Sequence, residues 1–164
     1  SYNLWLPAQG LISDETVFLR PSPYITITEP GNTPGPITVS ACSHTSSSIY
    51  IHSSRGFTAS GFIKPDLAAP GVDILGPSAS RRPEPGVPLT RRTGTSLAAA
   101  QAAGAAANLL SWAIVEGNDA TMSEAALKSH LIRGADRNPS LIYPNEEWGY
   151  GTLNLFQAFL QMRE

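Results

Sequence analysis

The chain has 164 residues, the size of one ordinary domain. It is 41% hydrophobic and 15% charged, a globular composition, and a net charge of -2 with no dense basic patch argues against a nucleic-acid partner. No run approaches the roughly 18 apolar residues of a membrane span, and the single cysteine, Cys42, excludes an intrachain disulfide or a Cys-based zinc site.

Residues 1–90 are rich in Pro, Gly, Ser and Thr and carry short β-like runs. Leu4-Trp5-Leu6, Thr16-Val17-Phe18-Leu19 and Tyr24-Ile25-Thr26-Ile27-Thr28 read as strands, each closed by Pro or Gly. Ile37 to Ala41 is a further strand, and Ser48 to Ile51 a weaker one. Cys42 follows that strand and reads as a small buried hydrophobe rather than a reactive thiol. Pro77, Pro83, Pro85, Gly86 and Pro88 mark a surface loop. The basic pairs Arg81-Arg82 and Arg91-Arg92 fit solvated loop positions. The chain opens on Ser1 with no leader-like stretch, which reads as a processed or excised piece.

From residue 95 onward the pattern turns helical. Ser96 to Trp112 is dominated by Ala, the best helix former, with almost no polar face, so burial on most sides is expected. Thr121-Met122-Ser123-Glu124 fits a capping box opening a helix that stops at Gly134. Leu155, Phe156, Phe159 and Leu160 space a last helix within residues 153–162. Strands followed by helices suggest α+β, and a piece of a larger parallel α/β sheet would look the same.

The segment that carries chemistry is Thr93-Gly94-Thr95-Ser96 running into the Ala-rich helix. A hydroxyl there stands beside unpaired, partly positive helix amides, which can stabilise an oxyanion in acyl transfer. Gly94 admits a substrate carbonyl closely. The plainer alternative is that Thr95 or Ser96 merely caps the helix.

Gly94, Thr95, Ser96, Ala98 and Gly104 resemble, in register, the nucleophile motif of the subtilase family (subtilisin-like serine proteases), written Gly-Thr-Ser-x-Ala-x-Pro-x-x-x-Gly. Lys64-Pro65-Asp66-x-x-Ala69-Pro70-Gly71 resembles a second family motif. Ile37 to Ala41, Ser53-Ser54-Arg55-Gly56 and Gly149-Tyr150-Gly151-Thr152-Leu153-Asn154 resemble three more, all in the family's order. Ala100 replaces the motif's Pro, Gln101 its common His and Leu97 its common Met; none of these removes a catalytic group.

The resemblance implies an α/β fold: the C-terminal portion of a subtilisin-like parallel-sheet, three-layer fold, comprising residues 31–164. Residues 1–30 resemble the strands ending an inserted β-sandwich, the jelly roll that clostridial Csp-type germination proteases carry at this point. The implied activity is a hydrolase, a serine endopeptidase with Ser96 as nucleophile, the Ser96 amide as an oxyanion donor, and Thr95 and Gly94 beside the substrate. The resemblance implies no cofactor. Calcium is common in the family, but Asp66 and Asp73 are oxygen donors by type only.

In the family the triad Asp and His precede the serine, and both would precede residue 1, as would the oxyanion-hole Asn. His44, His52 and His130 sit in no family His motif. The chain alone is therefore expected to be inert and to require its N-terminal half, or self-association, to cover apolar edges. Its partners would be a peptide or protein substrate and that missing half. Its location, by the same resemblance, would be secreted or spore-associated in a bacterium. A pseudoprotease used for binding or signalling, and an inactive structural fragment, are the competing readings.

Overall fold

The computed structural model describes residues 3–7, 10–78 and 89–162. Four strands and three α-helices follow one another: β1 (Val39–Cys42), β2 (Leu67–Pro70), β3 (Ile74–Pro77), β4 (Leu89–Arg92), α1 (Thr95–Leu110), α2 (Glu124–Arg133) and α3 (Leu155–Gln161). The α/β expectation holds: β1 and β2 pair in parallel, Val39 opposite Leu67 and Cys42 opposite Pro70. On β2's other edge the chain at Thr152 forms a parallel bridge to Ala68, with Leu153 N donating to the Ala68 carbonyl at 2.8 Å. β2 is thus the middle of a small parallel sheet. Its near-continuous apolar sequence suits a strand covered on both faces.

The glycines of the Gly-x-Gly-x-x-Asn segment follow from this crowding. Gly149 has φ +56°, and a Cβ there would run into the Pro65 and Asp66 backbone; Gly151 has φ +135° and a Cβ would lie 2.5 Å from the Asp136 carbonyl. Two residues needing positive φ and close backbone approach leave only glycine. Asn154 then caps α3, its side-chain oxygen accepting from Gln157 N at 3.0 Å.

α1 lies on β1 and β2 through residues small enough for close approach: Ala98 packs with Ala41 and Ala69. Further along, Ala105 and Leu109 join Leu67, Leu127, Leu131 and Ala158 in the main core. A five-residue π-helical turn, Ser111–Val115, prolongs α1, and Trp112 meets Phe159 of α3 edge-on at 5.9 Å.

Several expectations are corrected. The runs at 4–6, 16–19 and 24–28 form no strand; Trp5 instead donates its indole N–H to the Ile25 carbonyl, and Thr26 N donates to the Arg55 carbonyl. β-branched composition favours a strand only where a ladder partner exists, and no such partner is found among the described residues. Ser48 to Ile51 contributes one bridge, Ile49 to Cys42. Pro77 ends β3 rather than opening a loop, and β3 and β4 form an antiparallel hairpin. Residues 79–88, with Arg81-Arg82 and the remaining loop prolines, lie outside the described residues. Arg91-Arg92 lie in β4, where Arg91 pairs with the Asp73 carboxylate at 3.0 Å.

The helix boundaries fall close to their expected places, with two changes of cause. Ser123, not Thr121, caps α2, accepting from Ala126 N at 3.2 Å, while the Thr121 hydroxyl binds the Asp119 carboxylate. Gly134 ends α2 but stays right-handed, at φ -78°. α1 is buried along one stripe only, Ala98, Ala102, Ala105 and Leu109, and not on most sides. With its π-helical extension it is also long and apolar enough, by length and composition alone, to cross a membrane, which the sequence reading did not anticipate. The buried stripe packs on the parallel strands as in the core helix of a folded domain.

Candidate active site

The site is built where the β3–β4 hairpin returns the chain to the end of β2. Gly71 N donates to the Cys42 carbonyl at 2.9 Å, and Gly94 N donates to the Gly71 carbonyl at 2.8 Å. Thr93 Oγ1 accepts from Asp73 N at 2.9 Å, closing the hairpin base. A Cβ on Gly71 would stand 2.8 Å from both the Ala41 Cβ and the Gly94 carbonyl oxygen, and 3.2 Å from the Ala98 Cβ. The first turn of α1 therefore rests directly on backbone, and its position is fixed by contacts that leave no spare volume.

Gly94 is the N-cap of α1 in an extended conformation, and no side chain caps the helix. This removes the alternative that Thr95 or Ser96 is the cap. Thr95 is the first helical residue and Ser96 the second; both are exposed. Leu97 N bonds to the Gly94 carbonyl at 3.1 Å, while among the described residues the Thr95 and Ser96 amides have no protein acceptor. Two free N–H groups and the positive end of a 16-residue helix thus surround a free hydroxyl. Such an arrangement can hold a negatively charged oxygen.

Thr95 also lines a cavity of about 230 Å³, whose walls come from Ile27 to Gly31, Thr38, Val39, Ser53, Ser54 and Pro65. A larger cavity, about 390 Å³, lies beyond the ends of β1 and β2 between His44, Arg137, Tyr143 and Trp148. It includes none of Gly94, Thr95 and Ser96, whereas the smaller one reaches the helix start at Thr95.

The histidines do not join this site. His44 borders the larger cavity, His52 lies edge-on to Tyr50 at 5.3 Å, and His130 sits in the last turn of α2. Among the described residues no side chain hydrogen-bonds the Ser96 hydroxyl. Cys42 is buried, and burial pushes its thiol up from 9.0 to about 11, which keeps it protonated and unreactive at neutral pH.

Asp66 and Asp73 do not fit a calcium ion. The Asp66 carboxylate accepts from the Lys64 ammonium at 2.7 Å and faces Lys128 Nζ at 3.6 Å, so two positive charges already stand where a divalent cation would go. Asp73 is engaged by Arg91. Sequence reasoning missed this lysine pair. Its only local signal was a Lys and an Asp two residues apart beside an apolar strand.

The fold thus brings together a parallel sheet, a small-residue helix packed on it and an exposed serine in that helix's first turn. The Subtilase family profile matches residues 23–151, and the chain belongs to that family. The Clostridium perfringens CspB protease is similar over 91% of this chain and 31% of its own, with 33% identity and a TM-score of 0.83. The self-cleaved protease domain of PatA (26% identity, TM-score 0.64) matches over 86% of this chain and 46% of its own. The prenylagaramide maturation protease PagA (26%, 0.61) matches over 84% and 46% respectively. The chain thus spans less than half the length of each of these structures. No curated protein sequence matches it.

Proposed function

We propose that this chain is the C-terminal, nucleophile-bearing part of a subtilisin-like serine endopeptidase. The observation that carries the reading is the free Ser96 hydroxyl at the second position of an uncapped α1, exposed and beside unpaired amides. Ser96 Oγ attacks the scissile carbonyl and passes its proton to a base. The Ser96 amide donates to the resulting oxyanion, and collapse expels the amine and leaves an acyl-enzyme that water hydrolyses. Thr95 and Gly94 flank the substrate, whose side chain enters the cavity between Thr95 and residues 27–31.

The base and the Asp that orients it belong to an N-terminal half that packs on the uncovered side of α1. Ala99, Ala100, Gln101, Ala103, Ala107 and Asn108 are exposed there, and a Cβ at Gly104 would meet nothing within 4 Å. Covering this face by that half or by self-association follows from the same reading. Residues 1–30 are the end of an inserted β-sandwich; their long exposed stretch, Ser13 to Tyr24, is consistent with packing against something beyond this chain. The protein is bacterial, secreted or spore-associated, and the chain by itself does not turn over peptides.

A pseudoprotease acting as a binding module is the second reading. The coding sequence upstream of Ser1 separates the two. An Asp at a strand end and a His at a helix start support the protease; replacement of either supports the binding module.

A further inference from the structure

The deepest charge cluster among the described residues lies outside the reacting groups but adjoins the cavity that Thr95 lines. Lys64 is 2% exposed and Asp66 4%, values that charged side chains reach only when paired. Lys64 Nζ donates to the Pro36 carbonyl at 2.6 Å and to Asp66 Oδ2 at 2.7 Å. Asp66 Oδ2 also accepts from Thr38 N at 2.7 Å. A second ammonium arrives from α2: Lys128 Nζ donates to the Pro34 carbonyl at 2.7 Å and the Pro36 carbonyl at 3.1 Å, and faces Asp66 Oδ1 at 3.6 Å.

Two ammonium groups and one carboxylate therefore hold three backbone groups of residues 34–38. Thr38 Oγ1 extends the hold by donating to the Gly31 carbonyl at 2.7 Å. The two ends of the held segment, Gly31 and Thr38, line the cavity that Thr95 lines, as do the adjoining Glu29 and Pro30 and Pro65, between the paired Lys64 and Asp66, while Pro34 and Lys128 face a separate cavity. Residues 29–38 contain no strand or helix, and among the described residues their backbone–backbone bonds are confined to a turn, Thr33 N to the Pro30 carbonyl at 3.2 Å, and to the Thr38 carbonyl, which accepts from Asp66 N at 2.7 Å. Charge-assisted bonds are about twice as strong as neutral ones, and the buried pair is shielded from water and salt.

We propose that Lys64, Asp66 and Lys128 form a clamp that positions residues 29–38 and so governs how well the cavity lined by Thr95 accepts a substrate side chain. The inference rests on the protease reading. The three are positioning residues, acting through the wall and touching no reacting atom.

The test uses the full-length protein that contains this chain and two peptides differing only in the residue before the scissile bond, Leu or Gly. Lys128→Met is the main variant because Lys128 is partly exposed, and the buried Lys64–Asp66 pair survives it. Lys128→Arg is the conservative control. The expected result is a KM for the Leu peptide raised roughly fivefold to tenfold in Lys128→Met, the loss of charged hydrogen bonds being spread over the wall. The Gly peptide is unchanged and Lys128→Arg restores the Leu value. Hydrogen exchange at the Thr38 amide in the same protein quickens in Lys128→Met. Equal kinetics for both peptides, or an equal loss on both with Thr38 exchange unaltered, overturns the clamp. If the wild-type protein cleaves neither peptide the protease reading fails, and Thr38 exchange still decides whether the clamp exists.

Discussion

Ser96 owes its freedom to its neighbours more than to itself. Serine commonly caps helices, and here Gly94 takes that place, leaving the hydroxyl at the second helical position with no hydrogen-bond partner among the described residues. Gly71 is what sets the first turn at the right depth. Gly71→Ala pushes a methyl group against Ala41, Ala98 and the Gly94 carbonyl, none of which is the end of a flexible side chain. The expected cost is about 1–3 kcal/mol of stability, read by denaturant unfolding, with a loss of activity in the full-length protein because α1 must shift. Cys42 supplies a pH-dependent check. Its thiol titrates near 11 when folded and near 9.0 as its ordinary value. A group whose folded pKa is raised contributes stability that is intact below its unfolded pKa and lost as pH climbs through the folded one. Stability should therefore fall between about pH 9 and 11, and Cys42→Ala should flatten that fall in a urea titration at each pH. Alkylation of native protein at pH 8 should be slow and become fast on unfolding.

At the scale of elements, the helices were legible and the course of the first thirty residues, read as strands, was not. Ala-rich composition from Ser96 onward carries helix propensity locally, so α1 could be read within a residue or two of its bounds. A strand at 16–19 or 24–28 needs a partner, and sequence alone cannot supply one. The α2 cap was displaced by two residues because Thr121 and Ser123 are both good caps, and only the competing Asp119 carboxylate settles which is free. The clamp was invisible for a different reason: its groups come from residues 34, 36, 38, 64, 66 and 128, which the fold alone brings together. The exposed face of α1 makes an element-scale prediction. A Cβ added at Gly104 would meet nothing within 4 Å, so Gly104→Leu should stabilise this chain's helix by about 0.5–1 kcal/mol. In the full-length protein the same change should destabilise or inactivate, because the upstream half would meet a bulky side chain on that face. Thermal melts of both forms read the sign.

For the whole molecule, the family motifs of the sequence turn out to be one structural unit. The Lys64-to-Gly71 segment forms β2 and its exit, Ile37 to Ala41 supplies most of β1, the Gly149-to-Asn154 segment flanks β2, and Gly94 to Gly104 opens α1. Gly56, Gly71, Gly149 and Gly151 lie where backbone approaches backbone, whereas a Cβ at Gly94 or Gly104 would meet nothing, so part of the shared sequence pattern records packing around the helix start. The candidate nucleophile was readable because its environment is local, two residues into a helix. Acid–base partners are long-range by nature, and none is found at Ser96 among the described residues.

The most direct test of the account is a fluorophosphonate probe added to the full-length protein, followed by digestion and mass mapping of the adduct. The account predicts a single adduct on Ser96 that is absent in Ser96→Ala and formed far faster than in the isolated chain. An adduct elsewhere, or none on Ser96 in a folded full-length protein, would contradict the assignment of Ser96 as nucleophile.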